Sequence, residues 1–318
     1  MTACGVISDG RQAVPDVLFG PRRLLITRMT TVHRPVMAAE CLRELQVDLG
    51  SVVVDGTTGG GGHSRLIADA IGPNGRLVAI DRDPQMLRRA KDRLGRDAAD
   101  VIWHAGPYVD LPGVLETAGL GRVDAILVDL GLSSDQLLDR ERGFGFQAGG
   151  LLDLRFDPGV GIPARDWLKA VSDDDVANAL AAYGDIPVGS DVSRAVVASR
   201  TRLSTTEELV GCVEAVGGSG RTHPATVVLQ ALRIAVNDEL QLVEHAVTDV
   251  FPRCLKSGGR LVVLTFHSGE DRIVKKAMAD KAVWTVRQKK PILPRPAEVR
   301  ENPRSRSAKL RVAVRTLR

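Results

Sequence analysis

Aromatic side chains make up only 3% of this 318-residue chain. That leaves little scope for a surface that holds flat ligands on rows of stacked rings. Cysteine is also sparse: Cys4, Cys41, Cys212 and Cys254 lie far apart and form no C-x-x-C pair. A disulfide framework and a zinc site both lack support, no metal is expected, and a reducing cytoplasm is the expected setting. No apolar run reaches the ~20 residues that a membrane-spanning helix needs. Arg22 and Arg23 have no long apolar stretch behind them, so the N-terminus does not read as a secretory leader. What remains is ordinary globular material, 44% hydrophobic and 26% charged, enough for one large domain or two smaller ones.

The charge is unevenly placed. The formal net charge is +4, yet Arg287–Arg318 holds eleven Lys/Arg against two acids, which leaves −5 on the rest. A local excess of this size points to a polyanion, RNA or DNA, with Arg304, Arg306 and Lys309 as expected phosphate contacts. The plainer alternative is a solvated basic tail.

Residues 1–28 carry scattered Gly and Pro with no clear period and read as an extension with little structure. From Ser51 the pattern alternates. "SVVVD", "GRLVAID" and "VDAILVDLG" read as buried strands, each reaching an acid: Asp55, Asp81 and Asp129. "HSRLIADAIG" and "PQMLRRAKDRLG" read as helices closed by Gly72 and Gly95. Strands alternating with helices of this length predict a parallel sheet. Residues 138–222 break the rhythm: Ser172 reads as an N-cap, Gly184 as a helix stop, and Thr205 with Glu208 as a capping box. A long helix is expected over about 225–250, striped by Leu229, Leu232, Val236, Val243 and Val247. The α/β pattern then resumes with "GGRLVVLTF", a helix in "GEDRIVKKAMAD", and two last strands in "VWTVRQ" and "KLRVAVRTL".

Four consecutive glycines, Gly59–Gly62, join the first strand to the first helix of this unit. Such a loop admits a ligand close to the backbone, and the helix start offers unpaired N–H groups to an anion. A phosphate-binding P-loop fails at Thr57 and at His63, and a dinucleotide fingerprint is weak because Ser64 stands at its last glycine. Asp81 ends the next strand, where an acid accepts hydrogen bonds from ribose hydroxyls. A nucleoside cofactor without a demanding phosphate cradle fits best. S-adenosylmethionine meets that description, with NAD as the alternative at this point. Candidate catalytic residues lie at strand ends: Asp129, and His267 just past "LVVLTF". Asn237 on the long helix is a further candidate for the cleft.

"HRPVM", "VVVDGTTGGGGHS", "IDRDP", "LVDLGLSSDQL", "RGFGF", "LDLRFD", "HPATVVLQALRIAVNDEL", "GGRLVVLTFHSGEDRIVK" and "NPRSRSAKLRVA" occur in this order. The set, running from His33 to about Val314, resembles the bacterial 16S ribosomal RNA cytosine-N4 methyltransferase family. The resemblance implies an α/β fold, a Rossmann-like class I S-adenosylmethionine-dependent methyltransferase domain with an inserted all-helical domain. The implied methyltransferase domain covers 33–137 and 223–318, the insert that recognises RNA covers 138–222, and 1–32 is the poorly ordered extension. The implied cofactor positions are Gly61, Gly62, His63, Asp81, Tyr108, Asp129 and Gln136. The implied partner is 16S rRNA within the small ribosomal subunit, methylated on a cytidine near the decoding centre. Tyr108 stands where the family usually has Phe, Gly145 where it has Ser, Gly269 where it has Leu, and Val227-Val228 where it has Arg-Thr; "YGDIPVG" departs from its "YGEE". Two alternatives stay open: an enzyme with another acceptor, or a non-catalytic RNA-binding or assembly factor.

Overall fold

Runs rich in β-branched residues form the centre of a seven-stranded sheet in the order β3-β2-β1-β4-β5-β7-β6. The strands are β1 Val52–Asp55, β2 Arg76–Asp81, β3 Asp100–Ala105, β4 Val123–Asp129, β5 Leu255–Thr265, β6 Trp284–Thr285 and β7 Lys309–Arg315. The computed structural model describes Met1 and residues 35–95, 99–145, 149–217 and 223–316. The expected extension, apart from Met1, lies outside the described residues. Strands β1 to β5 pair in parallel, and β7 runs antiparallel to β5 and to β6.

Alternate strand residues feed two separate cores, as the two-residue period of a strand requires. Val53, Leu77, Ala79, Ala125, Leu127 and Val262 face one side, where α1 Ala38–Leu45, α2 Gly62–Ile71 and α3 Pro84–Leu94 contribute Cys41, Ile67 and Leu94. Val54, Val78, Ile80, Ile126, Val128 and Val263 face the other, against Leu111 and Val114 of α4 Leu111–Thr117.

Between β4 and β5 every regular element among the described residues is helical: α5 Ser134–Leu138, α6 Ala164–Ala170, α7 Asp173–Gly184, α8 Asp191–Ser199, α9 Thr206–Glu214, α10 Pro224–Asn237, α11 Glu239–His245 and α12 Phe251–Cys254. A third core joins Leu168, Leu180, Val196 and Leu209 of α6 to α9 with Val228 and Leu232 of α10. Beyond β5 come α13 Ser268–Ala277 and α14 Pro296–Glu301.

Local signals account for most helix ends. Ser172 and Thr205 cap α7 and α9 in capping boxes, and Gly72 and Gly95 close α2 and α3. Four expectations are corrected. Strand β3 has no counterpart among the strands expected from the pattern: it is an edge strand with no fully buried residue, so no apolar run marks it. The strand expected in "VWTVRQ" pairs over two residues only, Trp284–Thr285. The long helix is not continuous, because Asp238 turns left-handed at φ 52° and ends α10. Aspartate tolerates that conformation better than most side chains. Gly184 lies inside α7 and Asp185, at φ 51°, is the stop. A Cβ on Gly184 would lie 3.2 Å from Ala231 and 3.3 Å from Val227, so this glycine serves the close approach of α7 to α10. Val227 is therefore a packing residue of that contact, and Val228 is wholly buried in the third core.

Candidate active site

Because β1, β2, β4 and β5 are parallel, their C-terminal ends share one rim. Asp55, Asp81 and Asp129 stand there, and His267 follows β5 by two residues. The order of strands reverses between β1 and β4, and open α/β sheets bind ligands in the crevice at such a reversal.

The glycine run divides into two pairs. Gly61 has φ 79°, and a Cβ there would lie 3.0 Å from the Ala90 Cα of α3; one on Gly62 would lie 3.2 Å from Pro35. A side chain at either would crowd its neighbours, and at Gly61 the positive φ disfavours one as well. At Gly59 and Gly60 the nearest atoms to such a Cβ are 3.9 and 3.8 Å away, so here the backbone is open to a ligand. No side chain caps α2, which leaves the N–H groups of its first turn for an anion.

Asp81 braces this loop. Its Oδ2 accepts the Gly59 N–H at 2.6 Å and its Oδ1 the Asp83 N–H at 2.8 Å. Burial pushes the carboxyl up to about 7, against the pull of those two hydrogen bonds. Asp55, wholly buried, accepts from the Ser64 hydroxyl at 2.6 Å and from the Thr57 N–H at 3.2 Å. The Thr57 hydroxyl in turn accepts the Asp129 N–H at 2.6 Å, which ties the loop after β1 to the end of β4.

His63, buried at the start of α2, places Nε2 3.4 Å from Asp129 Oδ2. Among the described residues neither that Nε2 nor Asp129 Oδ1 has a hydrogen-bond partner, although both atoms are buried. Burial pulls the imidazole down, but the Asp129 carboxylate outweighs it and the net displacement is upward. The Asp129 side chain is 21% exposed, enough to be reached from the rim.

The other expected site residues are placed as follows. Gln136 is buried, and its amide is committed: Oε1 accepts the Ser133 N–H at 2.9 Å and Nε2 donates to Asp83 Oδ2 at 2.9 Å. Tyr108 is buried behind Gly56, its ring centroid 5.9 Å from that of Phe251. Burial, with Glu239 second, pushes its phenol far up. His267 caps α13: its Nδ1 accepts the Glu270 N–H at 3.4 Å, and its Nε2 stands 3.1 Å from Glu270 Oε1. Burial raises the Glu270 carboxyl, but His267 and the Phe266 N–H more than offset this and leave it below its ordinary value. A Cβ at Gly269 would lie 3.1 Å from the His267 ring, so the glycine gives that ring its room. Asn237 is buried rather than facing a cleft. It donates to the carbonyls of Leu154 and Arg233 and accepts the Phe156 N–H at 2.9 Å.

The sequence reading did not single out Asp83 and Arg142. Asp83 caps α3 through the N–H groups of Gln85 and Met86, and an acid directly before Pro84 was the available signal. The same carboxylate meets the Arg142 guanidinium at 3.1 Å in a buried ion pair, and Arg142 also donates to the carbonyls of Arg155 and Phe156. Arg82, between the two acids, donates to the Asn237 carbonyl at 2.7 Å and lies 5.5 Å over the Phe156 ring. The segment Asp81–Asp83 thus holds the glycine loop on one side and the chain around Arg155 and Phe156 on the other.

A model of the MraW methylase family matches residues 30–316. The chain belongs to the MraW methylase family. It is 43% identical over 305 residues to a protein of Rubrobacter xylanophilus named ribosomal RNA small subunit methyltransferase H, with 89% of this chain and 96% of that one covered. Proteins of the same name from Rhodopirellula baltica and Thermomicrobium roseum are 42% and 40% identical, each over 90% of this chain and 92% and 94% of their own. The fold of this MraW methylase is the expected Rossmann-like α/β arrangement, and S-adenosylmethionine is its cofactor. The residues present fit that group: an open backbone at Gly59 and Gly60, an uncapped α2, and a buried, unpartnered Asp129 Oδ1 on the same rim.

Asp81 gives a pH test of that fit. A carboxylate accepts ribose hydroxyls and a carboxylic acid does so less well, so affinity is expected to rise with pH through about 7 and level off above it. Calorimetric titration of the Asp81→Asn variant should show no such rise and an affinity roughly tenfold lower at high pH, the loss of about 1.5–3 kcal/mol of charge-assisted bonding. Equal affinity in the two proteins across this range would remove Asp81 from the cofactor site.

Proposed function

We propose that this protein transfers the methyl group of S-adenosylmethionine to the N4 amine of a cytidine in 16S ribosomal RNA, near the decoding centre, with the small ribosomal subunit as its partner. The observation that carries the reading is the reachable carboxylate of Asp129 at the strand reversal, one loop away from the open glycine backbone. The names of the three relatives supply the substrate class. The N4 amine is a weak nucleophile because its lone pair is delocalised into the ring, and the sulfonium donor is already activated. The protein's task is alignment and a local acceptor for the proton that N4 loses. Gly59 and Gly60 would lie against the cofactor, Asp81 would hold its ribose, and the first turn of α2 its carboxylate. Asp129 would face the amine. The target must be unpaired or splayed out, since N4 is engaged in a Watson–Crick pair. We assign its grip to the helical region 138–222, by shape rather than by aromatic stacking.

Part of the basic C-terminal segment is engaged within the chain, while Arg304 and Arg306 are exposed. Lys309 and Arg311 share Asp271 at 3.2 and 2.6 Å, and Arg304 donates to the Ser134 hydroxyl. Arg287, Lys289 and Lys290 are exposed in the loop after β6. Strand β6 pairs with Val314 and Arg315, at the end of β7 away from the site's rim, and the loop runs from there toward the rim, where Ile292 pairs with Leu310. Neutralising these three together is expected to lower RNA affinity and to flatten the plot of log affinity against log salt by roughly two units. An unchanged slope would show that they touch no phosphate.

The reading is tested by incubating the protein with S-adenosylmethionine and unmodified small subunits, then analysing digested RNA by mass spectrometry. N4-methylcytidine is the expected product. Cofactor binding without that product would turn the search to another acceptor.

A further inference from the structure

His63 carries more than a cofactor contact requires. Buried imidazole nitrogens are ordinarily hydrogen-bonded, yet among the described residues Nε2 meets only the Asp129 carboxylate, at 3.4 Å and outside good hydrogen-bond geometry. Asp129 is the one of the pair that reaches the rim. We propose that His63 and Asp129 form a proton-handling pair for the methyl transfer, an inference that rests on the function proposed above.

N4 forms a bond to the methyl carbon as the methyl–sulfur bond breaks, with that electron pair left on sulfur. One N4–H bond then breaks and its proton goes to Asp129, forming an O–H bond at the carboxylate. Neutral His63 takes the same proton at Nε2 from Asp129 Oδ2. The positive charge that began on the sulfonium ends on a buried imidazolium beside a carboxylate, and it leaves to solvent after the product has gone.

The surroundings suit a proton acceptor. Asp129 of β4, Asp55 of β1 and Glu298 of α14 all face His63 and favour its charged form. From α1, Cys41 and Glu40 sit in the same acidic group; Glu40 is paired with Arg295 at 3.2 Å, and Glu298 accepts the Met37 N–H at 2.5 Å. Asp55 is already held by Ser64 and Thr57. Asp129 is the carboxylate in this group with an unpartnered buried oxygen. Burial works against protonation, and the acids prevail. Neutral His63 is the working form. Turnover should therefore rise with pH through the His63 titration and level off above it.

Two measurements test the pair. In the first, the imidazole of His63 is titrated by nuclear magnetic resonance in the full-length protein without RNA. Its pKa is expected above the ordinary histidine value and to fall by about half a unit or more in Asp129→Asn. A titration indifferent to that change overturns the proposal, whatever the catalytic result. In the second, single-turnover methylation of small subunits at saturating S-adenosylmethionine is followed from about pH 5.5 to 9. The wild type should show an ascending limb with its inflection at the titration of His63. His63→Gln should lose that inflection and slow by about tenfold to hundredfold on the plateau. A glutamine variant that keeps the wild-type inflection overturns the proposal, and a loss of rate matched by loss of cofactor affinity with the inflection intact assigns His63 to cofactor holding alone. A wild type that makes no N4-methylcytidine at any pH overturns the functional reading instead, while the resonance titration still reports on the pair.

Discussion

Asp129→Asn is expected to reduce N4-methylcytidine formation by about a hundredfold or more at saturating cofactor. The asparagine keeps the shape, and the backbone N–H of residue 129 keeps its bond to the Thr57 hydroxyl. What disappears is the negative charge that faces both the rim and His63. The amide can accept a hydrogen bond from the cytosine amine through its oxygen, but it cannot take up the proton. The loss should therefore fall on the turnover rate more than on the affinity for RNA or cofactor. Rapid-quench turnover on unmodified small subunits gives the rate, and calorimetry gives the cofactor affinity. An asparagine variant within about threefold of wild type would mean that Asp129 has no part in the chemistry.

Arg142→Ala should destabilise the protein by about 3–5 kcal/mol, the usual consequence of leaving a buried charge without its partner. Asp83 is wholly buried, and Arg142 meets it while donating to the carbonyls of Arg155 and Phe156. Removing the guanidinium therefore strands one carboxylate and two backbone acceptors. The Gln136 amide and the cap N–H groups of α3 still reach Asp83, which places the effect toward the lower part of that range. Urea unfolding measures it. A double-mutant cycle with Asp83→Asn should give a combined loss smaller than the sum of the two single losses. Additive losses, or a single loss under about 1 kcal/mol, would show that the pair is not a joint in the fold. The same joint bears on function. Asp81 braces the glycine loop two residues from Asp83, so Arg142→Ala is also expected to weaken S-adenosylmethionine binding, which calorimetric titration measures.

Most of the sheet was legible because β1, β2, β4 and β5 are buried on both faces, and such strands must be continuous apolar runs. Strand β3 was not, since an edge position lets half-exposed residues such as Trp103 and His104 stand in it. Helix ends were legible wherever capping is a matter of neighbouring residues: Ser172, Thr205, Gly72 and Gly95 act within their own turn. The end of α10 was not, because Asp238 is held left-handed while its neighbour Asn237 bonds Leu154 and Phe156 from more than eighty residues away.

The candidate site divides along the same line. By itself the sequence determined that acids end three strands, that a glycine loop precedes α2, and that positive charge collects at the C-terminus. Those are properties of local spacing and composition. Only the tertiary structure decided which of these meet. It set Gly61 and Gly62 close against Ala90 and Pro35 and left Gly59 and Gly60 open. It turned Asn237 and Gln136 inward, paired Lys309 and Arg311 with the single carboxylate of Asp271, and set His63 opposite Asp129. The reason is physical: a hydrogen bond or a buried charge is settled by whichever partner arrives in space. For His63 that partner is 66 positions along the chain, brought there by the parallel pairing of β1 with β4.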